Sequence, residues 1–176
     1  MFARLLDLLL QFGKHLLPFV VVISYQNAGV FRFGRFNRRL EGGLHWKWPF
    51  IEEIYPENVF ITTVRLQPQT VTTKDNQSVV CAGVVRYRVV DIEAYQTRIG
   101  DQHDVLIDTA MGAVLRAART MTFEDLCDGP PESKIAADIR RQVKDFGMGV
   151  EQFTFTDLGR IRSIRLITHT PTALDN

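Results

Sequence analysis

The chain has 176 residues, 45% of them hydrophobic and 23% charged, which suits one folded domain with a sizeable core and excludes intrinsic disorder. Its 21 basic and 20 acidic residues leave a formal net charge of +1, so no chain-wide field draws in polyanions and any basic function must be local. Two cysteines, Cys81 and Cys127, lack CxxC or CxxH spacing; no zinc site or disulfide framework is indicated, both read as small apolar fillers, and a reducing compartment is favoured.

The opening MFARLLDLLLQFGKHLLP has helical periodicity. At ~100° per residue, Arg4, Asp7, Gln11, Lys14 and His15 share one narrow arc, while leucines and phenylalanines fill the rest. Residues 1–18 are therefore expected to form an amphipathic helix that Pro18 ends. A transmembrane span is disfavoured because Asp7 and Lys14 each cost roughly 2.5–3.5 kcal/mol near its centre. A cleaved signal peptide is disfavoured by the interrupted apolar run and the lack of a small-residue cleavage site. Lying in a membrane interface, such a helix keeps its polar groups wet and buries Phe2, Leu5, Leu6, Leu9, Phe12, Leu16 and Leu17, with Phe19 just beyond. Packing between copies of the chain uses the same stripe, and both readings stand.

A β-rich half follows, from about Phe19 to Asp91. Its first part, GVFRFGRFNRRLEGGLHWKWPF from Gly29 to Phe50, interleaves arginines with aromatics. Phe31 and Phe33 are two apart and are expected on one strand face, in the core. The balanced charge, and a pattern unlike the aromatic strand signature of RNA-binding sheets, argue against nucleic acid. Glu52 and Glu53 are adjacent, so on a strand they point to opposite faces and do not form a catalytic acid–base pair. In SVVCAGVVRYRVVD, Val79, Cys81, Gly83, Val85, Tyr87 and Val89 fall on one face. The preceding QTVTTKDNQ predicts a hairpin turning at Lys74 to Gln77.

From Ile92 the period becomes helical. Ile107, Met111, Val114, Leu115 and Ala118 are expected to share the buried face of one helix. Thr122 with Asp125 suggests a capping box for a short helix. Pro130 and Pro131 start a longer one with Ile135, Ile139, Val143 and Phe146 in its stripe, and Gly147 stops it. VEQFTFTDLGRIRSIRLITHT returns to strand character. Strands, then helices, then a strand predict an α+β domain over residues 19–170, with 171–176 as a tail.

No catalytic constellation emerges. The four histidines, His15, His45, His103 and His169, are scattered without metal-ligand spacing, and His103 beside Asp104 reads as a surface residue at a helix start. No GxSxG element, P-loop or dinucleotide loop occurs. The expectation is a non-enzyme with no cofactor, no metal and no nucleic-acid partner.

Several of these motifs, in order, resemble the stomatin, prohibitin and flotillin superfamily, also called the SPFH or band 7 domain. Gly29 to Arg35 is similar to that family's opening strand and turn. Gly43-Leu44-His45 with Pro49 matches its Gly-Leu-His element and proline. Thr73-Lys74-Asp75 followed by Val84 to Val89 matches its central hairpin, Leu115-Arg116 its middle helix, and Gly149-Val150 the start of its last strand. The likeness covers roughly Gln26 to Leu166 and implies an SPFH-like fold with a β-rich first half, helices in the second half and a final strand.

The resemblance also implies a membrane-associated scaffold that assembles with itself, organises membrane or partner proteins and often regulates a membrane protease or channel. On that reading Trp46 and Trp48 suit a headgroup boundary. Arg35, Arg38, Arg39 and Lys47 become candidate contacts for anionic lipid or a partner. Arg160, Arg162 and Arg165 form a candidate contact strand between copies. Two departures from the family pattern bear on assembly. The leading segment is short and amphipathic, and the long charged helix that follows the domain in relatives has no counterpart before Asn176, so a large closed cage is not expected. The resulting expectation is a peripheral or shallowly inserted membrane protein, its domain in a reducing, cytoplasmic compartment. The alternative is a soluble structural subunit of a larger assembly, such as a viral particle, with the leading helix packed between protomers.

Overall fold

Nine strands and four helices are built from these patterns in a computed structural model that describes residues 18–161. In chain order they are β1 (Phe19–Val22), β2 (Gln26–Arg32), β3 (Arg35–Leu40), β4 (Gly43–Trp46), β5 (Glu52–Asn58), β6 (Thr62–Arg65), β7 (Gln69–Thr72) and β8 (Ser78–Val89). Helices α1 (Ile92–Thr97), α2 (Gln102–Thr120), α3 (Phe123–Asp128) and α4 (Glu132–Val143) follow, then a 3-10 turn (Lys144–Phe146) and β9 (Met148–Arg160). Every expectation placed on residues 1–17 or 162–176 lies outside the described residues.

The spine is β8. Its alternating face of Val79, Cys81, Val85, Tyr87 and Val89 is buried as the period-two pattern requires. On one side β8 pairs with β9 along its whole length, and on the other it pairs with β6 and β7, which lie end to end. All four strands are antiparallel, so one face can meet the core while Arg86 and Arg88 stay in water. The helices cover the buried face. Leu106, Ala110, Ala113, Val114 and Ala118 of α2 and Ile135, Ala136, Ile139 and Val143 of α4 pack against Val85, Val150 and Phe153.

The buried stripe of α2 is rotated from the expected one. Leu106, Ala110 and Ala113 carry it, whereas Ile107, Met111 and Leu115 are only partly buried along its edge. Small alanines let the helix approach the sheet closely, and the larger residues fill the flanks. The expected α4 stripe is observed through Val143, with Phe146 partly buried beyond it.

Local signals also hold. The β7–β8 hairpin turns through Thr73–Gln77, where the Thr73 hydroxyl bonds the Gln77 carbonyl at 3.2 Å. Thr122 caps α3: its hydroxyl accepts from the Asp125 N–H at 3.2 Å while the Asp125 carboxylate accepts from the Thr122 N–H at 3.3 Å. Thr122→Ala should lower stability by about 1 kcal/mol, read as a shifted denaturant midpoint with unchanged slope. An unchanged midpoint would mean that α3 is held by packing alone.

Cys81 faces the core, and burial pushes its thiol pKa up. Cys127 is exposed, contrary to its expected filler role, because Leu126 beside it takes the inward position on α3.

Candidate functional site

Residues 18–58 form a smaller sub-structure with its own core. Strand β2 lies between β3 and β5, and Val22, Ala28, Val30 and Leu40 are buried together, flanked by Val20 and Ile54. Beside this sheet, β1 and β4 make a two-stranded antiparallel ribbon in the register Phe19↔Trp46, Val20↔His45, Val21↔Leu44 and Val22↔Gly43. Alternation sends Val20 and Val22 inward. It therefore turns Phe19, Val21, Leu44 and Trp46 outward on one face.

That outer face is apolar and open to solvent. Val21 and Leu44, directly opposite each other, are 69% and 66% exposed. Phe19 and Trp46 meet edge to face with ring centroids 5.0 Å apart. The Lys47 N–H donates to the Pro18 carbonyl at 2.7 Å, continuing the ribbon by one bond. Trp48 and Phe50 follow in the loop to β5, both exposed.

A second aromatic tip stands next to this loop. Phe33 and Gly34 join β2 to β3 with φ of +50° and +76°, the two-residue turn with both central residues left-handed. Phe33 is thus 80% exposed at the tip and not in the core, because β2 ends at Arg32 and the period-two pattern stops there. Its N–H points to the Ile51 carbonyl at 3.5 Å, which places the two tips side by side. Phe31 is half-buried between Phe36 and Tyr55, with ring centroids 5.6 and 5.4 Å away.

One carboxylate holds this arrangement. The Glu52 side chain is fully buried and accepts from Arg32 at 2.8 Å, from Arg38 at 3.2 Å and from the Trp48 backbone N–H at 3.1 Å. Arg38 also donates to the Trp46 carbonyl at 2.8 Å. Burial by itself raises the Glu52 pKa; the Arg32 hydrogen bond, the Trp48 N–H and the charges of Arg38 and Arg32 outweigh it and leave the group below its ordinary value. Glu53 points the other way, as expected, and accepts from the Tyr55 hydroxyl at 2.8 Å.

The basic residues divide accordingly. Arg38 is committed to Glu52, and Arg39 pairs with Glu41 at 3.1 Å. Arg35 and Lys47 have no carboxylate partner among the described residues. Arg160, at the far end of β9, donates to Gln77 at 3.3 Å and lies 5.8 Å over the Phe123 ring, away from the ribbon in the fold. Arg162 and Arg165, like Phe2, Leu5, Leu6, Leu9, Phe12, Leu16 and Leu17, lie outside the described residues.

Phe19, Trp46, Trp48, Arg35 and Lys47 therefore belong to one sub-structure. Val21, Leu44 and Phe50 join them; the only sequence signal for these is the period-two spacing of Leu44 and Trp46, and the adjacency of Glu52 to Glu53 holds no clue to the structural role of Glu52. His103 is exposed beside Asp104 at the start of α2. Among the described residues no group of three His, Cys, Asp or Glu side chains is placed to hold a metal, and no helix is long and apolar enough to cross a membrane.

Comparison with known proteins bears on the same region. The family model described as SPFH domain / Band 7 family matches residues 21–163. An uncharacterised protein of Methanocaldococcus jannaschii is 25% identical over 135 residues, 76% of this chain and 68% of its own length. The modulator of FtsH protease HflK of Escherichia coli K12 is 31% identical over 137 residues, 75% of this chain but 32% of its own length. Mouse stomatin-like protein 3 is 26% identical over 127 residues, 71% of this chain and 44% of its own length. The chain thus spans most of the archaeal relative and about a third of HflK.

Proposed function

The chain belongs to the SPFH domain / Band 7 family, and from that premise we propose that it is a non-enzymatic, membrane-associated scaffold that binds a lipid surface and assembles with copies of itself. The observation that supports this most directly is the outward face of β1 and β4, with Phe19, Val21, Leu44 and Trp46 open to solvent beside exposed Trp48 and Phe50. Soluble monomers rarely expose contiguous apolar side chains of this size without a partner for them. Tryptophans suit a headgroup boundary, and the charges of Arg35 and Lys47, without a carboxylate partner among the described residues, complement an anionic leaflet. The leucine-rich sequence up to Leu17 is joined through Pro18 to the Phe19–Trp46 end of the ribbon.

Regulation of a membrane-bound protease is the partner function that this reading favours, because a relative 31% identical is named a modulator of FtsH protease. None of the relatives named above is a viral structural protein, and they lend no support to a soluble particle subunit.

Flotation with vesicles of phosphatidylcholine and phosphatidylglycerol tests the membrane reading. The full chain should rise with the vesicles. Withdrawing the exposed halves of two tryptophans from lipid removes about 1 kcal/mol each, so Trp46→Ser with Trp48→Ser should weaken binding by roughly 30-fold. A chain that stays with the soluble fraction at moderate salt contradicts the proposal.

A further inference from the structure

A second surface lies on the helical layer, away from the ribbon. Helices α2 and α4 flank an open groove of about 740 Å³ with Ala113, Ala117 and Met121 in its floor. Its rim carries Arg116 from α2 and Lys134 and Arg141 from α4, all exposed. The carboxylate in the groove, Asp138, bonds Arg116 at 2.8 Å and Arg141 at 2.7 Å. Three cations thus face one carboxylate, and Lys134 has no ion-pair partner among the described residues.

The opposite charge stands at the other end of the same helix. Asp101, the N-cap of α2, and Asp104 and Asp108 within it are all exposed and lie within ~60° of one another around the axis. Asp104 and Asp108 have no cation partner among the described residues. Val105, half-buried, borders that stripe. Asp104 and Arg116 are 12 positions apart, about 18 Å along the helix at 1.5 Å per residue. An acidic start and a basic end on α2 follow from its own dipole. The dipole does not account for Lys134, in the first turn of α4, where a cation is unfavourable. Its position adds to a positive rim for which this chain presents a matching negative face.

We propose that the acidic start of α2 in one copy seats on the basic-rimmed groove between α2 and α4 of a second copy. The occupant is this chain itself because the two faces complement each other in charge and the groove floor of small and flexible apolar side chains accepts Val105. This deepens the self-association in the reading above by naming its surface, and it is independent of lipid binding. The groove and the acidic stripe are on the helical layer, whereas the ribbon is in the sub-structure of residues 18–58.

Charge reversal in the full chain tests it, with mass measured by sedimentation over a range of concentration. Lys134→Glu with Arg141→Glu leaves Arg116 to hold Asp138 and should weaken self-association by at least about tenfold, since attraction becomes repulsion. Asp104→Lys with Asp108→Lys should do the same. Mixing the two variants, or combining all four reversals in one chain, should restore association. Salt at about 0.5 M should weaken the native complex by screening. Failure of both the mixture and the fourfold variant to recover, or a native chain that stays monomeric, overturns the proposal. Vesicle flotation of the same variants should be unchanged, so failure here is distinguishable from failure of the membrane reading. Far-ultraviolet circular dichroism identical to the native chain confirms that each variant folds.

Discussion

Replacing Glu52 with alanine should lower the unfolding free energy by roughly 2–3 kcal/mol and reduce vesicle binding with it. Three donors converge on this buried carboxylate: Arg32, Arg38 and the Trp48 N–H. Alanine leaves two guanidinium groups side by side and a backbone N–H without its acceptor. The arginine side chains are 42% and 41% exposed, so water recovers part of their loss and the cost falls below that of a wholly buried pair. The functional consequence follows from position. Glu52 ties the Trp46–Phe50 loop to β2 and β3, so its loss frees the aromatics that the ribbon presents.

The same carboxylate predicts an acid sensitivity with a definite sign. Its folded pKa lies below its ordinary value because the Arg32 hydrogen bond, the Trp48 N–H and the two guanidinium charges overcome the effect of burial. The unfolded carboxylate therefore takes up a proton first as pH falls. The stability Glu52 contributes is complete above its unfolded pKa, about 4.3, and is lost as pH drops through the folded value. Glu52→Gln keeps the shape and loses the charge, so it should flatten this part of the profile. Guanidinium unfolding followed by the fluorescence of Trp46 and Trp48, at neutral pH and over a series of pH values falling below about 4, measures both effects. A Glu52→Ala change within about 0.5 kcal/mol of the native chain would show that solvent, not the carboxylate, holds the two arginines.

Gly147→Ala should cost roughly 3 kcal/mol or more. Gly147 follows the 3-10 turn with φ +77°, the left-handed conformation that a side chain disfavours by about 1–2 kcal/mol. Its carbonyl accepts from the N–H groups of Val90 and Asp91 at 2.8 and 3.1 Å, joining the end of β8 to the start of β9. A methyl group there runs into the carbonyl oxygen of Asp91 and crowds the Tyr95 N–H. Relieving it means moving backbone where α1, the end of β8 and the start of β9 meet. Gly34 supplies the comparison: its φ is +76°, yet a Cβ meets nothing within 4 Å. Gly34→Ala should therefore cost only the left-handed term, about 1 kcal/mol. Equal midpoints for the two variants in denaturant unfolding would refute the claim that the collision, and not the dihedral angle, dominates.

Much of this fold is legible in the sequence because its signals are local. The alternation from Val79 to Val89 specifies a strand with one buried face whatever surrounds it. Thr122 and Asp125 sit at the spacing that satisfies a helix start, and Gly147 is the residue type that leaves a helix cheaply. These readings need only neighbours within a few positions. The α2 face was legible less well, since periodicity alone does not distinguish a stripe centred on Ile107 and Met111 from one centred on Leu106 and Ala110. The sheet decides between them, because close packing rewards the alanines.

The candidate site divides along the same line. The sequence by itself determined which side chains are available: the aromatic and basic residues between Phe19 and Phe50, and the spacing that makes Leu44 and Trp46 partners on one face. Only the tertiary structure decided which of them are free. Pairing of β1 with β4 put Phe19 against Trp46, the turn at Phe33 and Gly34 lifted Phe33 out of the expected core, and Glu52 claimed Arg38, whereas Arg35 and Lys47 have no carboxylate partner among the described residues. The physical reason is range. Periodicity and capping act over one or two turns of chain, whereas a buried charge chooses its partners among whatever residues the strands bring within hydrogen-bond distance, and for Glu52 those lie 14 and 20 positions away.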